Sequence, residues 1–596
     1  MNYRCPSCRL RRKERYFNPV HLKAVKAECA PDRTLYPYIA LNDPPIHLIG
    51  VGKYLQGTSD WRYDDQAGVK VQKNAIELVS CIISKYSPVA FISYQADDKT
   101  AQAIEDYIVA TYCSGGSDGK ELKCKLTRLP QEDYTPPMVR DIITTWRVID
   151  EVRAKNNDSG IPGVLLHCNA STGRTPTMVM SYAWLQKHLN TSGGFLLNTA
   201  ESISSQIANA TNRIMVFLTG VVKSYSHVAY NEIFKQEKEK DLLHERIRVI
   251  NSTIRAYCYS KDKILKRASR ILTPEKHVTC DEKGVLLTET RNMVKKYTWD
   301  NNGVVNYSAN DDKILGLVNL FELLPDSRLL LVYRRGEATT FFRILSEGSN
   351  PENEVAIENL PLLQRPALAY IIKGNEGFIV SIGEDYKLRR QLTITIGKVV
   401  PHENLGPVVM VPVAAVEGGA ALADILEWRT SVNILPSPDG SYIAIMSAAH
   451  VVVCQLDLIG HFKPTYTMVL SAEIEKYKNM SWSPDSKRLL VAGKSMRLLD
   501  VVLKHVGLGM EVDEVTCSVW QSGTRVWTGT ADGRIMAWDV ETDEKSKTGT
   551  LKAAGDPEEC LVGHESELRR LYIRENNILS VDSEGTCIKW NIEEGL

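Results

Sequence analysis

The segment Gly163-Val-Leu-Leu-His-Cys-Asn-Ala-Ser-Thr-Gly-Arg-Thr-Pro-Thr177 sets a thiol, Cys168, six residues before a guanidinium, Arg174. A bare Cys-x5-Arg means little, because thirteen cysteines give about one such match by chance. Its surroundings carry the weight: an apolar run, a loop of small residues, and a helical pattern from Met178 to His188. A small-residue loop entering a helix can turn several backbone N–H groups onto one anion, and the helix N-terminus adds positive potential. That potential favours a thiolate, so Cys168 is expected to be a nucleophile toward phosphorus. Arg174 offers a planar fork to two phosphoryl oxygens and to the charge that spreads onto them in the transition state. Thr175 can hydrogen-bond the sulfur and ease its departure in a second step.

Such a reaction needs an acid for the leaving oxygen. Gln131-Glu132-Asp133-Tyr134-Thr135-Pro136-Pro137 begins a few residues ahead of Asp133, which lies 35 residues before Cys168. Asp133 is the expected general acid, and its carboxylate can then activate water. Glu132 and Asp141 are the neighbouring alternatives, and Gln206 is a candidate for positioning the water. Thr135-Pro136 reads as the N-cap and first residue of a helix.

The elements that must hold these groups follow from patterning. Between about Leu41 and Gly220 short apolar runs alternate with helical spacing. Ala75, Ile76, Val79 and Ile82 suit a helix, as do Ile104, Tyr107, Ile108 and Thr111. Val139, Ile142, Ile143 and Trp146 recur at i, i+3, i+4 and i+7. Val89–Ile92, Leu122–Leu129 and Val164–Leu166 read as strands. The expectation is an α/β domain, a central sheet with covering helices. Residues 229–270 turn charged, without Pro or Gly, and read as a helical connector. From 271 onward helical periodicity gives way to seven strand–turn–strand units, which start near Cys280, Leu324, Ile372, Ser437, Ser483, Trp520 and Arg574. Periodic β units of this kind signal radial or solenoid repetition. The expected division is 1–40 as a basic N-terminal arm, 41–228 as the α/β domain, 229–270 as the connector, and 271–596 as an all-β propeller, whose length fits seven blades with six or eight left open.

Two family resemblances sit on these motifs. His167-Cys-Asn-Ala-Ser-Thr-Gly-Arg-Thr175 resembles the His-Cys-x5-Arg-Ser/Thr signature of protein tyrosine and dual-specificity phosphatases, and Asp133-Tyr-Thr-Pro-Pro137 resembles their mobile general-acid loop. The resemblance implies Cys168 as nucleophile, Arg174 as phosphate clamp, Asp133 as acid and base, and Thr175 as thiolate partner. It implies His167 as a support for the cysteine, and backbone donors from Asn169, Ala170, Ser171, Thr172 and Gly173. Ser171 stands where the family commonly has Gly. The size of the domain fits the compact dual-specificity type. The last two β units resemble WD repeats: Asp532 lies six residues before Trp538-Asp539, and Gly563-His564 leads to Trp590-Asn591. In that family Gly-His, a turn Asp and Trp form a buried hydrogen-bonded set, and Glu584 stands where the turn Asp of the last repeat would fall.

These readings bound the function. Lys+Arg and Asp+Glu both number 72, so overall charge gives no support to a nucleic-acid or anionic-membrane binder. No uncharged apolar stretch is long enough for a membrane span, and the first sixteen residues hold no secretory h-region. The thinly spread cysteines fit thiols in a reducing compartment, cytoplasmic or nuclear. Cys5-Pro-Ser-Cys8 with His21 and Cys29 has irregular spacing for zinc, and no metal or cofactor is expected. The expected activity is two-step hydrolysis of a phosphomonoester on a phosphoprotein, with a protein partner recruited by the propeller. Two other readings stay open: a non-enzymatic scaffold that binds phosphorylated ligands, and a phosphatase acting on inositol phosphates or RNA 5′-ends. The sequence does not fix an oligomeric state.

Overall fold

The chain divides into two compact units between Arg255 and Ala256 in a computed structural model. In the first unit the structure describes residues 22–26, 35–42, 45–51, 61–64, 69–72, 88–95, 125–132, 135–154, 162–168 and 174–190, and then the helix and strand of 237–268 that cross into the second. Of the second it further describes the strands within 278–412, and 433–447, 450–457, 465–473, 477–507, 509–542, 549–554, 559–574 and 576–592. The helical patterns at Ala75–Ile82 and Ile104–Thr111 lie outside the described residues.

The first unit is built on strands β1 (Leu22–Lys26), β2 (Leu35–Asn42), β3 (Pro45–Val51), β6 (Pro88–Ser93), β7 (Lys125–Arg128) and β8 (Gly163–His167), with β4 (Trp61–Asp64) and β5 (Val69–Gln72) forming a separate hairpin. The sheet order is β1-β2-β3-β8-β6-β7. β1, β2 and β3 pair antiparallel, whereas β3/β8, β8/β6 and β6/β7 are parallel. All five residues of β8 are buried, which is why its sequence is an apolar run rather than an alternation. The basic arm expected over 1–40 is corrected here, because β1 and β2 are strands of this sheet. Leu35-Tyr-Pro-Tyr-Ile-Ala-Leu41 is rich in the aromatic and branched residues that strands favour, and pairing with β3 satisfies its backbone.

Helix α1 (Val139–Ala154) buries Val139, Ile142, Ile143 and Trp146, the stripe read from the sequence, and Ile149 beyond it. Helix α2 is Arg174–Asn190, with Pro176 in its first turn, where no backbone N–H is needed. The two helices are tied by polar bonds as well as packing. Trp146 Nε1 donates to Ser181 Oγ at 3.0 Å, and Tyr182 Oη donates to Asp150 at 2.5 Å while accepting from Arg153 at 2.6 Å. Burial raises the Asp150 carboxyl, with the Tyr182 bond and the Arg153 charge pulling the other way.

The charged segment forms helix α3 (Glu237–Lys261), and the division between units falls inside it. Strand β9 (Ile264–Ala268), which the sequence reading left in the connector, belongs to the second unit, where it is the fourth strand of the last sheet.

That unit is a β-propeller. Among the described residues it holds seven antiparallel sheets, spanning 278–313, 317–357, 363–412, 433–473, 477–511, 515–562, and 568–591 with β9. The first strand of each sheet lies against the first strand of the next, so the sheets are arrayed radially about those strands. Pairing of Cys587–Trp590 with β9 draws the last sheet together from the two ends of the unit. Each of the seven turn signals in the sequence falls between the first and second strands of one sheet. Ser437 and Ser483 show how these turns are built. Each hydroxyl bonds the carboxylate two residues on (Asp439 at 2.7 Å, Asp485 at 2.6 Å) and accepts a backbone N–H five residues on. Thr530 bonds Asp532 in the same way in a later hairpin and accepts the N–H four residues on. Gly440, Gly533 and Gly585 take positive φ at 68°, 84° and 82°, and Ser486 takes the same role at 59°. Neighbouring sheets are stitched by tryptophans: Trp482 Nε1 donates to Leu435 O and Trp520 Nε1 to Ser481 O, both at 3.0 Å.

The last sheet carries a fully buried polar chain. Trp590 Nε1 donates to Ser580 Oγ at 2.7 Å, Ser580 Oγ meets His564 Nε2 at 2.6 Å, and His564 Nδ1 meets Asp582 Oδ2 at 2.9 Å. Asp582 Oδ1 accepts the N–H groups of Glu584 and Thr586. The turn acid is therefore Asp582 rather than a residue at 584, and Asp582 takes the backbone N–H of Glu584. Burial lowers the His564 pKa despite Asp582 beside it. Burial opposes ionisation of Asp582, but the His564 and Thr586 bonds outweigh it and hold the carboxyl below its usual range. The pair is thus neutral imidazole and carboxylate. His564 Nδ1–H donates to Asp582, and Nε2 accepts from Ser580.

Both shifts are downward, so both groups contribute stability that is present above their ordinary values and lost as pH falls. The melting temperature is expected to drop from about pH 7.5 to about pH 5.5, the window in which an unfolded histidine takes up its proton. His564→Asn should flatten that slope. Asp582→Ala, which strands one buried ring N–H and two backbone N–H groups, should cost about 2–4 kcal/mol in chemical denaturation.

Candidate functional site

β8 runs directly into Cys168, which is buried, and α2 begins at Arg174. Thiol and guanidinium therefore bracket the segment between a central parallel strand and the helix after it. The bracketed residues, Asn169, Ala170, Ser171, Thr172 and Gly173, lie outside the described residues.

The Arg174 side chain is 3% exposed and reaches across two other strand ends. Its Nη1 donates to Tyr94 O at 2.9 Å and to Gln131 O at 2.6 Å. Tyr94 follows β6, and Gln131 lies three residues beyond β7. The ladders continue just past the assigned strands, with Tyr94 N–H donating to His167 O and Leu129 N–H to Ser93 O, both at 2.8 Å. The carboxyl ends of β8, β6 and β7 are thus drawn together. From β6 the chain continues to β7 on one side, and from β7 it returns through α1 to β8 on the other. In open α/β sheets such a reversal leaves a crevice at the carboxyl ends of the strands, where ligands bind.

Tyr94 is fully buried, and its hydroxyl lies 2.9 Å from Thr145 Oγ1. Burial pushes its phenol upward, and the nearby Asp141 and Cys168 add to the rise. One residue therefore touches Arg174 through its carbonyl and senses Cys168 through its ring. His167 is also fully buried. The Gln95 amide nitrogen lies 3.1 Å from His167 Nε2 and donates to it, which leaves the ring proton on Nδ1. Thr175 is buried, but its hydroxyl makes no hydrogen bond among the described residues, so the bond to sulfur expected of it is not formed here.

Asp133, the expected acid, and Gln206 lie outside the described residues. Glu132 is exposed. Thr135 does not cap α1 as expected, because the helix begins four residues later; its hydroxyl donates to Glu132 O at 2.8 Å. Helix α1 starts at Val139, and Met138 O takes the N–H groups of Asp141 and Ile142 at its first turn. Asp141 is buried in that turn, where a carboxylate favours the helix start. It accepts Gln131 Nε2 at 3.2 Å and pairs with Arg140 at 3.6 Å. Tyr94, Gln95 and Gln131 were not singled out in the sequence. Tyr94 and Gln95 lie two and three residues beyond the strand read at Val89–Ile92, and that position is the signal that could have found them. Cys5, Cys8, His21 and Cys29 lie outside the described residues.

No family model matches the sequence, and no curated protein matches it. Among solved structures the chain is similar to Sqt1 from Chaetomium thermophilum at 12% identity, over 55% of this chain and 83% of that one, with a TM-score of 0.35. It is similar to Hsv2 from Kluyveromyces lactis at 11% identity, over 47% of this chain and 97% of that one, with a TM-score of 0.30. Scores of this size carry no weight of their own, and the propeller rests on the sheet order above. No helix among the described residues is long and apolar enough to cross a membrane.

Arg174 is expected to matter for folding as well as for anion binding. Arg174→Ala removes a buried donor from two carbonyls and should destabilise the first unit by about 2–4 kcal/mol. Arg174→Lys, with a single ammonium in place of the fork, should recover part of that. Chemical denaturation followed in the first unit checks both.

Proposed function

We propose that the first unit is a cysteine-dependent phosphomonoester hydrolase of the protein tyrosine or dual-specificity type. One observation carries the reading: Cys168 ends the central parallel strand, and Arg174 opens the helix after it and folds back over the adjoining strand ends. A phosphoryl group held between them would meet helix N-terminal donors and a guanidinium, the setting that stabilises charge on transferring oxygens.

In the proposed reaction the Cys168 thiolate attacks phosphorus, and the bond to the leaving oxygen breaks. Asp133 gives that oxygen its proton. The Asp133 carboxylate then takes a proton from water, whose oxygen attacks phosphorus. The sulfur–phosphorus bond breaks, releasing inorganic phosphate and the thiolate. The substrate is phosphotyrosine or phosphoserine/threonine on protein. The loop holds no lysine, which disfavours polyanionic inositol phosphates. The propeller recruits a protein partner or presents the substrate, a role argued from its fold alone.

A second reading has one observation in its favour. The Arg174 Nη1 is engaged by main-chain carbonyls, and the Thr175 hydroxyl makes no bond to sulfur, as suits a phospholigand-binding scaffold without turnover.

Purified protein should hydrolyse p-nitrophenyl phosphate in EDTA and reductant. Cys168→Ser should abolish this by about 10³-fold or more, and Asp133→Ala should slow it by about 10²-fold. No turnover above Cys168→Ser, with retained vanadate binding, would favour the scaffold instead.

A further inference from the structure

The end of β6 holds His167 at three places. Tyr94 N–H donates to the His167 carbonyl at 2.8 Å, the Gln95 amide donates to ring Nε2 at 3.1 Å, and the Phe91 ring lies tilted against the imidazole with centroids 5.9 Å apart. The holding segment is itself fixed. Tyr94 Oη is bonded to Thr145 on α1 at 2.9 Å, Tyr94 O accepts Arg174, and Gln95 N–H donates to Ser93 Oγ at 3.3 Å. His167 is fully buried and Gln95 is 8% exposed, so imidazole and amide meet away from bulk solvent.

We infer that Gln95 is a positioning residue for Cys168: it holds His167, the residue directly before the thiol, as the neutral tautomer with its proton on Nδ1. The inference rests on the phosphatase reading for its catalytic meaning. A neutral imidazole carries its proton on either nitrogen, and the group that faces one nitrogen decides which. An amide N–H facing Nε2 needs a lone pair there, so it sends the proton to Nδ1 and disfavours a second proton on the ring. Nδ1 is the ring nitrogen nearer the main chain, and its N–H therefore lies on the side from which the chain continues into Cys168. A carboxylate in place of the amide reverses this. It accepts where the amide donates, draws the proton to Nε2 and favours the imidazolium. The donor on the main-chain side is then lost or the ring turns, and misplacement of the thiol on the ångström scale is enough to slow attack on phosphorus. The sequence hides this link, because a lone Gln after a strand reads as a polar loop residue.

The tautomer can be read without any activity. In the full chain with 15N-labelled histidine, the His167 ring signals are those among the twelve histidines that vanish in His167→Asn. The wild-type chain should carry the proton on Nδ1, and Gln95→Glu should move it to Nε2. Gln95→Met keeps the volume and removes the donor, so its Nε2 signal should shift; this variant carries the test should Gln95→Glu not fold. With p-nitrophenyl phosphate, Gln95→Glu should lower kcat about tenfold with KM changed less than about twofold, and Gln95→Met should lower it only about threefold. A wild-type proton on Nε2, a ring unaltered in the variants, or an equal loss of kcat in both would overturn the inference, the last by reducing Gln95 to packing. If the wild-type chain shows no Cys168-dependent turnover, the proposed reaction fails, and the ring signals alone then decide whether Gln95 sets His167.

Discussion

The first unit depends on one buried guanidinium. Taking a charge out of water is costly unless its hydrogens find acceptors. Arg174 finds two at the points where the β6 and β7 ladders run out, and where main-chain carbonyls would otherwise lack partners. The need of the cation and the need of the strand ends meet at a single nitrogen. Since Arg174 is also the first residue of α2, the same contact sets where that helix begins relative to the sheet, and so where the chain after Cys168 must turn. Fold and candidate chemistry are determined together there. A substitution at 174 cannot be assigned to one without measuring the other.

The propeller solves a different problem. Each sheet has to cover its faces with its neighbours, and few of its residues do more than pack. In the last sheet the buried polar groups are linked end to end. The Trp590–Ser580–His564–Asp582 chain is directional from indole to carboxylate and ends on two backbone N–H groups. Sheet six repeats its first link, Trp538 Nε1 donating to Thr528 Oγ1 at 2.8 Å, and sheets five and six also use tryptophan as a stitch to the preceding sheet. This explains how the repeat can lose most of its signature residues and keep its geometry: the stitch needs only an indole N–H and a main-chain carbonyl.

What the sequence revealed follows the same distinction between side chain and backbone. The seven sheets were legible because each first hairpin needs a turn, and turns demand particular residue types, as at Ser437-Pro-Asp-Gly440 and Ser483-Pro-Asp-Ser486. The α1 stripe was legible because burial imposes its period. Tyr94 and Gln131 were not, since they act on Arg174 through carbonyls that any residue offers. Thr135 misled because a hydroxyl beside a proline can accept a helix N–H or donate back to a carbonyl, and here it donates to Glu132 O. The turn acid was read two residues late because Asp582 ends its strand and reaches forward into the turn instead of sitting at its tip. β1 and β2 were hidden behind the basic residues that precede them.

Strand β9 has a consequence in time. It lies before all seven sheets in the chain, yet it completes the last one by pairing with Cys587–Trp590, more than three hundred positions later. During synthesis the first six sheets can form from local hairpins as they emerge, since each pairs consecutive strands. The seventh cannot gain its outer strand until the final segment has been made, and until then β9 keeps an open edge. The pairing of β9 with Cys587–Trp590 therefore spans the widest sequence separation of the strand pairings described in the unit, and contacts of that kind form slowly. An unpaired edge beside a growing row of sheets is where a chaperone would have most to protect.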